Sequence, residues 1–418
     1  MTQILVLFDS AAGHAATMAT LPAHERARRN SLKSRRTLNM TEIRTRLASL
    51  DVFRGLTIAM MILVNDPGSF SDAYPQLRHA AWNGWTMTDM VFPFFLWIMG
   101  VAMTFSLARR REQGTSTGSL ILHALRRSLI IFALGIVVNG FPFGLGAAFS
   151  FDTLRIPGVL QRIAICYFIV AVLVLKTTPR TQLLCAGGLL VLYWALVKLV
   201  PVPGFGPGVM NPVGCLCWYV DSNLLAGHTW IWAPTPGFDP EGIVSTLPAI
   251  ATTIFGVITG RYLRSERSGE TKAAEMFVVG YAMVLAGVVA DIWLPINKNC
   301  WTSSYAIFMG GWALVCFATV YWLIDVKHRG RWLEPFRIFG LNAITLYVVS
   351  ELLATLLWVI TVGQGSGTVL TLHDQIYRSL FVPFFSPVNA SLAFAIVYVL
   401  LHFVLGWGMW KKGWIVRV

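Results

Sequence analysis

Apolar stretches about as long as a membrane span recur along the chain, separated by polar and Pro/Gly-rich connections. A hydrocarbon core about 30 Å thick requires roughly 20 apolar residues of helix. Ten stretches qualify, at 51–66, 86–107, 123–140, 156–175, 182–200, 243–262, 273–293, 302–324, 336–361 and 390–410. The first is the weakest, because Phe53–Val64 is short and Arg54 stands near one end, where its head can snorkel to the boundary. The pattern predicts an all-α polytopic membrane protein, and ten crossings place both termini on one side.

Composition and charge sharpen this picture. Hydrophobic residues make up 56% and charged residues 13%, about half the roughly 25% charged share of a soluble domain. That excludes a soluble enzyme, and the abundance of Phe, Trp and aliphatics excludes disorder. A net charge of +13 invites a nucleic-acid partner, but 16 Trp and a mean hydropathy of +0.63 point to the lipid bilayer instead. Twenty-six of the 33 Lys and Arg fall in the N-terminal segment, the C-terminal tail and alternate connections. By the positive-inside rule those regions, and both termini, are cytoplasmic. The long outer connections are then 67–85, 201–242 and 362–389, the middle one able to fold over the helix ends as a lid. Cys215, Cys217 and Cys300 face outward, either as apolar fillers or with one bridge such as Cys215–Cys300. Residues 1–45 read as a basic, disordered N-terminal segment, with Met40 as an alternative start, and 46–418 as the membrane domain.

Ionisable groups inside spans are costly and are functional candidates; here they are Arg54, Asp89, Arg162, Asp291, Glu351 and His402. Asp89 and Arg162 both stand at outer helix ends, where they could pair, and His402 is expected to bond a neighbouring helix. Polar clusters gather on the same side: Leu63–Gly68 (LVNDPG), Arg78–Pro93 (RHAAWNGWTMTDMVFP), Arg155–Arg162 (RIPGVLQR), Phe238–Gly242 (FDPEG) and Asn297–Tyr305 (NKNCWTSSY). Trp82, Trp85, Trp230, Trp232 and Trp301 interleave them. Such Trp residues serve as an interfacial belt, or, beside Asp, Glu and Asn, as walls of a small-molecule pocket. His79 can act as base, acid or nucleophile near neutral pH, or simply cap the loop.

These five motifs, in this order and spacing, resemble the heparan-α-glucosaminide N-acetyltransferase family from about Arg46 to the C-terminus. The chain looks like the bacterial members, a membrane core expected in the inner membrane. The resemblance implies an acetyltransferase that takes acetyl-CoA from the cytoplasmic side and acetylates the amino group of a terminal glucosamine on the other. It assigns the catalytic His to His79 and its partner to Asn65. One departure is Asp66-Pro67, where the animal enzyme has an aromatic residue and a Gly. The resemblance also suggests a homodimer, for which the sequence displays no interface.

The residue chemistry is compatible with that activity. Acyl transfer to an amine needs a base for the amine proton and stabilisation of a tetrahedral oxyanion. His79 could be that base or be acetylated transiently, with Asn65 donating to the oxyanion or thioester carbonyl. Trp82, Asn83, Asp89, Arg162, Asp239, Glu241, Asn297, Lys298 and Trp301 are candidates for the acceptor site, although DPEG is also a good turn and helix start. Arg54, Arg126 and Arg127 are candidates for the CoA phosphates, beside the plain positive-inside reading, and Asn342 and Glu351 for the route of the pantetheine arm. No metal is expected. The rival reading is a transporter of N-acetylglucosamine or a related amino sugar.

Overall fold

The computed structural model describes residues 47–144, 150–365 and 368–416; the segment 1–45, with the alternative start, lies outside the described residues. Backbone groups in hydrocarbon must bond within their own segment, so each apolar stretch closes into a helix. In chain order these are α1 (Ala48–Asn65), α2 (Met87–Glu112), α3 (Thr117–Gly140), α4 (Val159–Lys176) and α5 (Pro179–Leu199). A short α6 (Leu216–Leu224) follows, then α7 (Thr246–Leu263), α8 (Gly269–Asp291) and α9 (Ser303–Tyr321), which runs on through a π turn to Val326. The chain continues with α10 (Glu334–Leu341) and α11 (Ala343–Val359). A small antiparallel hairpin, β1 (Thr361–Gly365) and β2 (Thr368–Thr371), precedes α12 (Leu372–Leu380) and α13 (Pro387–Lys411).

Among the described residues, eight helices are long and apolar enough to cross a bilayer: α1 to α5, α8, α9 with its π extension, and α13. The protein is thus an all-α, integral multi-pass membrane protein. The expected ninth span is not one straight helix: α10 and α11 meet at 72°, the geometry of a broken span or a re-entrant loop. Asn342 at the break leaves helical geometry (φ −124°, ψ 36°), and its side chain holds the C-terminal tail, donating to the Trp414 carbonyl and accepting from the Val416 N–H. The expected sixth span is α7, where Thr246, Thr252, Thr253, Thr259 and Arg261 dilute the apolar content. Thr252 and Thr253 are fully buried and turn their hydroxyls back onto the carbonyls of Pro248 and Ala249.

Helix association in lipid depends on close packing rather than on the hydrophobic effect. Gly100 and Gly256 let α2 and α7 touch backbone to backbone, since a Cβ on Gly256 would lie 1.9 Å from the Trp97 carbonyl oxygen. In the same way, a Cβ on Gly340 would lie 1.9 Å from the Asp51 carbonyl, at the crossing of α10 and α1. About two-thirds of α1 and α2 is buried in the protein, against 22% of α3 and α8, so the former form the inner bundle and the latter its lipid-facing rim.

The connection 201–245 packs over the helix ends at one end of the bundle. Trp82 Nε1 donates to the Met210 carbonyl (2.6 Å), and the Tyr193 hydroxyl donates to the Cys300 carbonyl (2.7 Å). Cys215, Cys217 and Cys300 share this buried cluster with Phe238 as free thiols; the bridge considered from the sequence is not formed, and the cysteines fill space. His402 also departs from expectation. Its Nδ1 meets the carbonyl of Tyr398 in its own helix (2.8 Å), not a neighbouring one.

Candidate active site

The five polar motifs converge at that same end. The first step is local: Thr86-Met-Thr-Asp89 starts α2 with a capping box. Asp89, fully buried, spends Oδ2 on the N–H groups of Thr86 (3.0 Å) and Ala80 (3.1 Å). Its Oδ1 lies 2.7 Å from His79 Nδ1. The carboxylate therefore accepts Nδ1–H, and the lone pair of His79 is directed to Nε2, on a ring whose side chain is 49% exposed. The cap that starts the helix is also the orienter of the histidine. The pairing open to Asp89 and Arg162 from the sequence is not formed: Asp89 bonds His79, and Arg162 bonds Gly242 and Ser245.

The second step is long-range. The segment before α9 is pinned to the His79 loop by a bridge between Gly84 and Asn297, with Gly84 N–H donating to the Ile296 carbonyl (2.7 Å). Asn297, fully buried, donates from Nδ2 to Asn83 Oδ1 (3.0 Å), and the Tyr305 hydroxyl donates to the Asp89 carbonyl (2.6 Å). This seam delivers Lys298 to the histidine: Nζ lies 3.2 Å from both ring nitrogens of His79. Partial burial and the Lys298 ammonium lower the His79 pKa from its ordinary 6.5, outweighing Asp89 and Glu241, which raise it.

The third step joins two motifs through two arginines. Arg155 grips Asp239 in fork geometry (2.8 and 2.7 Å) and reaches Glu241 (2.6 Å). Burial works against the guanidinium charge, but the two carboxylates hold the Arg155 pKa well above its usual range. Burial likewise opposes the Glu241 charge, and Arg155, Arg162 and Lys298 together hold that carboxyl below its usual range. Arg162, 1% exposed, bonds the Gly242 carbonyl and the Ser245 hydroxyl and lies over the Trp301 ring (5.1 Å to its centroid). Asp239, Arg162, Asn297 and Trp301 were expected to line the mouth. The structure places them beneath it, Trp301 being 1% exposed and edge-on to Phe92 and Tyr305. Trp82 is half-buried against Phe238, and Asn83 remains exposed at the rim.

Asn65 ends α1 and donates one amide N–H to Glu351 Oε1 (3.1 Å). Glu351 thus belongs with this end, and it interacts electrostatically with Arg155. The next residue, Asp66, carries a buried Oδ2 without a hydrogen-bond partner; burial, and then Glu351, push its carboxyl well above the usual range. The sequence reading noted Asp66 only as a departure from the family, and did not single out Ser245 or the ion pairs of Arg155. The signal available for the last was its place at the head of RIPGVLQR, one of few cations on its side of the chain.

The residues expected near CoA are not brought into one cluster. Arg54, half-buried, bonds Asp51 (3.0 Å) and the Gly340 carbonyl (3.3 Å) at the α1–α10 crossing. Arg127 packs over Tyr167 (4.8 Å to the ring centroid), and Arg126 is exposed on α3. Asn342 is committed to the tail.

With this geometry in hand, the comparisons are specific. The chain is 30% identical over 364 residues to human heparan-alpha-glucosaminide N-acetyltransferase, covering 75% of this chain and 54% of the relative. The mouse enzyme of the same name is 31% identical over 358 residues, with 74% and 54% covered. The chain therefore spans about half the length of the curated relatives it matches. Residues 46–294 match the family described as heparan-alpha-glucosaminide N-acetyltransferase, catalytic, which takes in the His79 loop, the lid and both arginines, and the chain belongs to that N-acetyltransferase family.

Proposed function

We propose that the protein is a transmembrane acetyltransferase moving acetyl from cytoplasmic acetyl-CoA to the amino group of a glucosamine-type sugar across the membrane, in a bacterial inner membrane. The observation that carries this reading is the His79–Asp89 pair at the open end of the bundle, 2.7 Å apart, in a chain of this family. A buried carboxylate on Nδ1 and an accessible Nε2 make a base suited to an amine proton. Its lowered pKa keeps the ring neutral and ready near pH 7.

In the reaction the neutral amine attacks the thioester carbonyl, and His79 Nε2 takes the amine proton. Collapse of the tetrahedral intermediate breaks the C–S bond, and the leaving thiolate receives that proton. Glu241 and the exposed Asn83 are the polar groups best placed to orient sugar hydroxyls at the rim. Asn65 retains a second amide N–H beside the one given to Glu351, available to a carbonyl oxygen. Arg54 stands in the first half of α1, away from its Asn65 end, and Arg126 and Arg127 in the first half of α3; these are the cations offered to the CoA phosphates. A homodimer is compatible with this scheme and not required by it.

The test is labelled acetyl-CoA with glucosamine and the purified protein in nanodiscs. N-acetylglucosamine is expected as product, and His79→Ala should abolish it. Uptake of N-acetylglucosamine into vesicles lacking acetyl-CoA, with no transfer in nanodiscs, would establish the carrier in its place.

A further inference from the structure

Lys298 stands apart from the other charged groups at this end. Arg155 is tied to Asp239 and Glu241, Asp89 to a cap and a histidine, and Arg162 is bonded through Nη2 alone to Gly242 and Ser245, its Nε and Nη1 buried without hydrogen-bond partners. The Lys298 ammonium has three N–H donors, and among the described residues no carboxylate lies within ion-pair distance of it. Its hydrogen-bond-range neighbours are the two nitrogens of the His79 ring, both at 3.2 Å. Equal distances to Nδ1 and Nε2 put Nζ over the ring rather than in line with the Nε2 lone pair. The ammonium therefore does not occupy the base, and its three donors are not all used by the ring.

We propose that Lys298 is a catalytic residue that donates to the oxyanion of the tetrahedral intermediate, rather than a contact for the sugar; this rests on the acetyl-transfer reading above. When the amine nitrogen attacks, the carbonyl π pair moves onto oxygen and the amine proton moves to Nε2. The carbon under attack must lie within about one bond and one hydrogen bond of Nε2, so its oxygen falls within donor range of a cation 3.2 Å from the same nitrogen. On collapse the pair returns to the carbonyl, the C–S bond breaks and the thiolate takes the proton from Nε2. In the intermediate the oxyanion's negative charge offsets the ammonium beside the newly formed imidazolium, which Asp89 also neutralises through Nδ1. In the resting site the same ammonium disfavours imidazolium and keeps the base free. The groups facing Lys298 are His79 on its loop, Asp89 on α2, Glu241 on the lid, Arg155 in the segment before α4 and Arg162 in its first turn. Burial first, then the two arginines, lower its pKa from 10.5 against the pull of the two carboxylates.

Two variants and two readouts test this in the full-length protein. Lys298→Met should lower kcat by about 10²–10³-fold with little change in KM for glucosamine. Lys298→Arg should recover part of that loss and move the alkaline limb of the pH profile upward, because guanidinium does not deprotonate there. Independently of turnover, the pH midpoint of diethylpyrocarbonate modification of His79, read by mass spectrometry, should rise in Lys298→Met. A kcat within twofold of wild type, or a loss confined to KM, would overturn the oxyanion role while leaving the acetyltransferase intact. A wild type that transfers no acetyl to glucosamine removes the functional reading, and the modification midpoint then decides for or against the Lys298–His79 contact on which the inference stands.

Discussion

His79 Nδ1 and Asp89 Oδ1 lie 2.7 Å apart, and the carboxylate that orients the ring is the same one that caps α2 through Thr86. Placing the base and the helix start on one side chain ties the ring to the rigid inner bundle rather than to a loop. It also means that the two functions of Asp89 can be separated by substitution.

Asp89→Asn keeps a cap acceptor but removes the charge and invites the wrong imidazole tautomer. Activity should fall by about 10²–10⁴-fold while the thermal midpoint in detergent drops only slightly. Steady-state rates beside a melting curve check this; equal losses in both would assign Asp89 to structure alone.

The pH profile should carry the signature of a neutral base. The His79 pKa is lowered from 6.5, so turnover should hold as pH falls to about that value and decline only below it. Removing Asp89, which raises the pKa, should move the acid limb further down. An acid limb centred above 6.5 would contradict the observed surroundings of the ring.

Arg155→Gln leaves Asp239 and Glu241 buried without their cation, which should destabilise the lid by on the order of 3–5 kcal/mol. Limited proteolysis within 226–242 should then outpace cleavage of wild type. Arg155→Lys should rescue poorly, because the fork spans both oxygens of Asp239.

Asp221 on α6 accepts from the Ile243 N–H (3.0 Å) through Oδ1, while its buried Oδ2 has no partner. Burial is the main cause that raises its pKa from 3.8 to about 7. Between those values the folded state holds a proton that the unfolded chain has released, so stability falls as pH rises through this window. Asp221→Asn, neutral in both states, should flatten that slope and gain roughly 1–3 kcal/mol at pH 8. Melting curves at pH 5 and pH 8 read it directly.

Gly256→Ala drives a Cβ to 1.9 Å from the Trp97 carbonyl oxygen. Backbone cannot step aside, so a loss of about 1–3 kcal/mol is expected. Gly188 on α5, with nothing within 4 Å of its would-be Cβ, is the control, and Gly188→Ala should be neutral or mildly stabilising.

Much of this protein is legible along the chain, for a physical reason. Hydrocarbon tolerates few backbone solutions, so each of the ten apolar stretches is helical, but among the described residues only eight of them pass as spans by length and composition, the ninth being bent and the sixth Thr-rich. The motifs likewise drew attention to His79 and Asn65 as candidates, and the Thr86–Asp89 cap is a local pattern that the sequence carries in full. What it could not carry is pairing across distance. Asp89 and Arg162 could pair as two helix-end groups, but the partner of Asp89 is His79, ten residues before it on a loop. Lys298 reaches His79 across 219 residues, through a seam of backbone and amide bonds with no one-dimensional signature. Trp301, read as a wall of the mouth, is instead a fully buried base for Arg162. Apolar periodicity reports which residues leave water; which charges then meet is decided by helix crossings such as Gly100 on Gly256, and so by the tertiary structure alone.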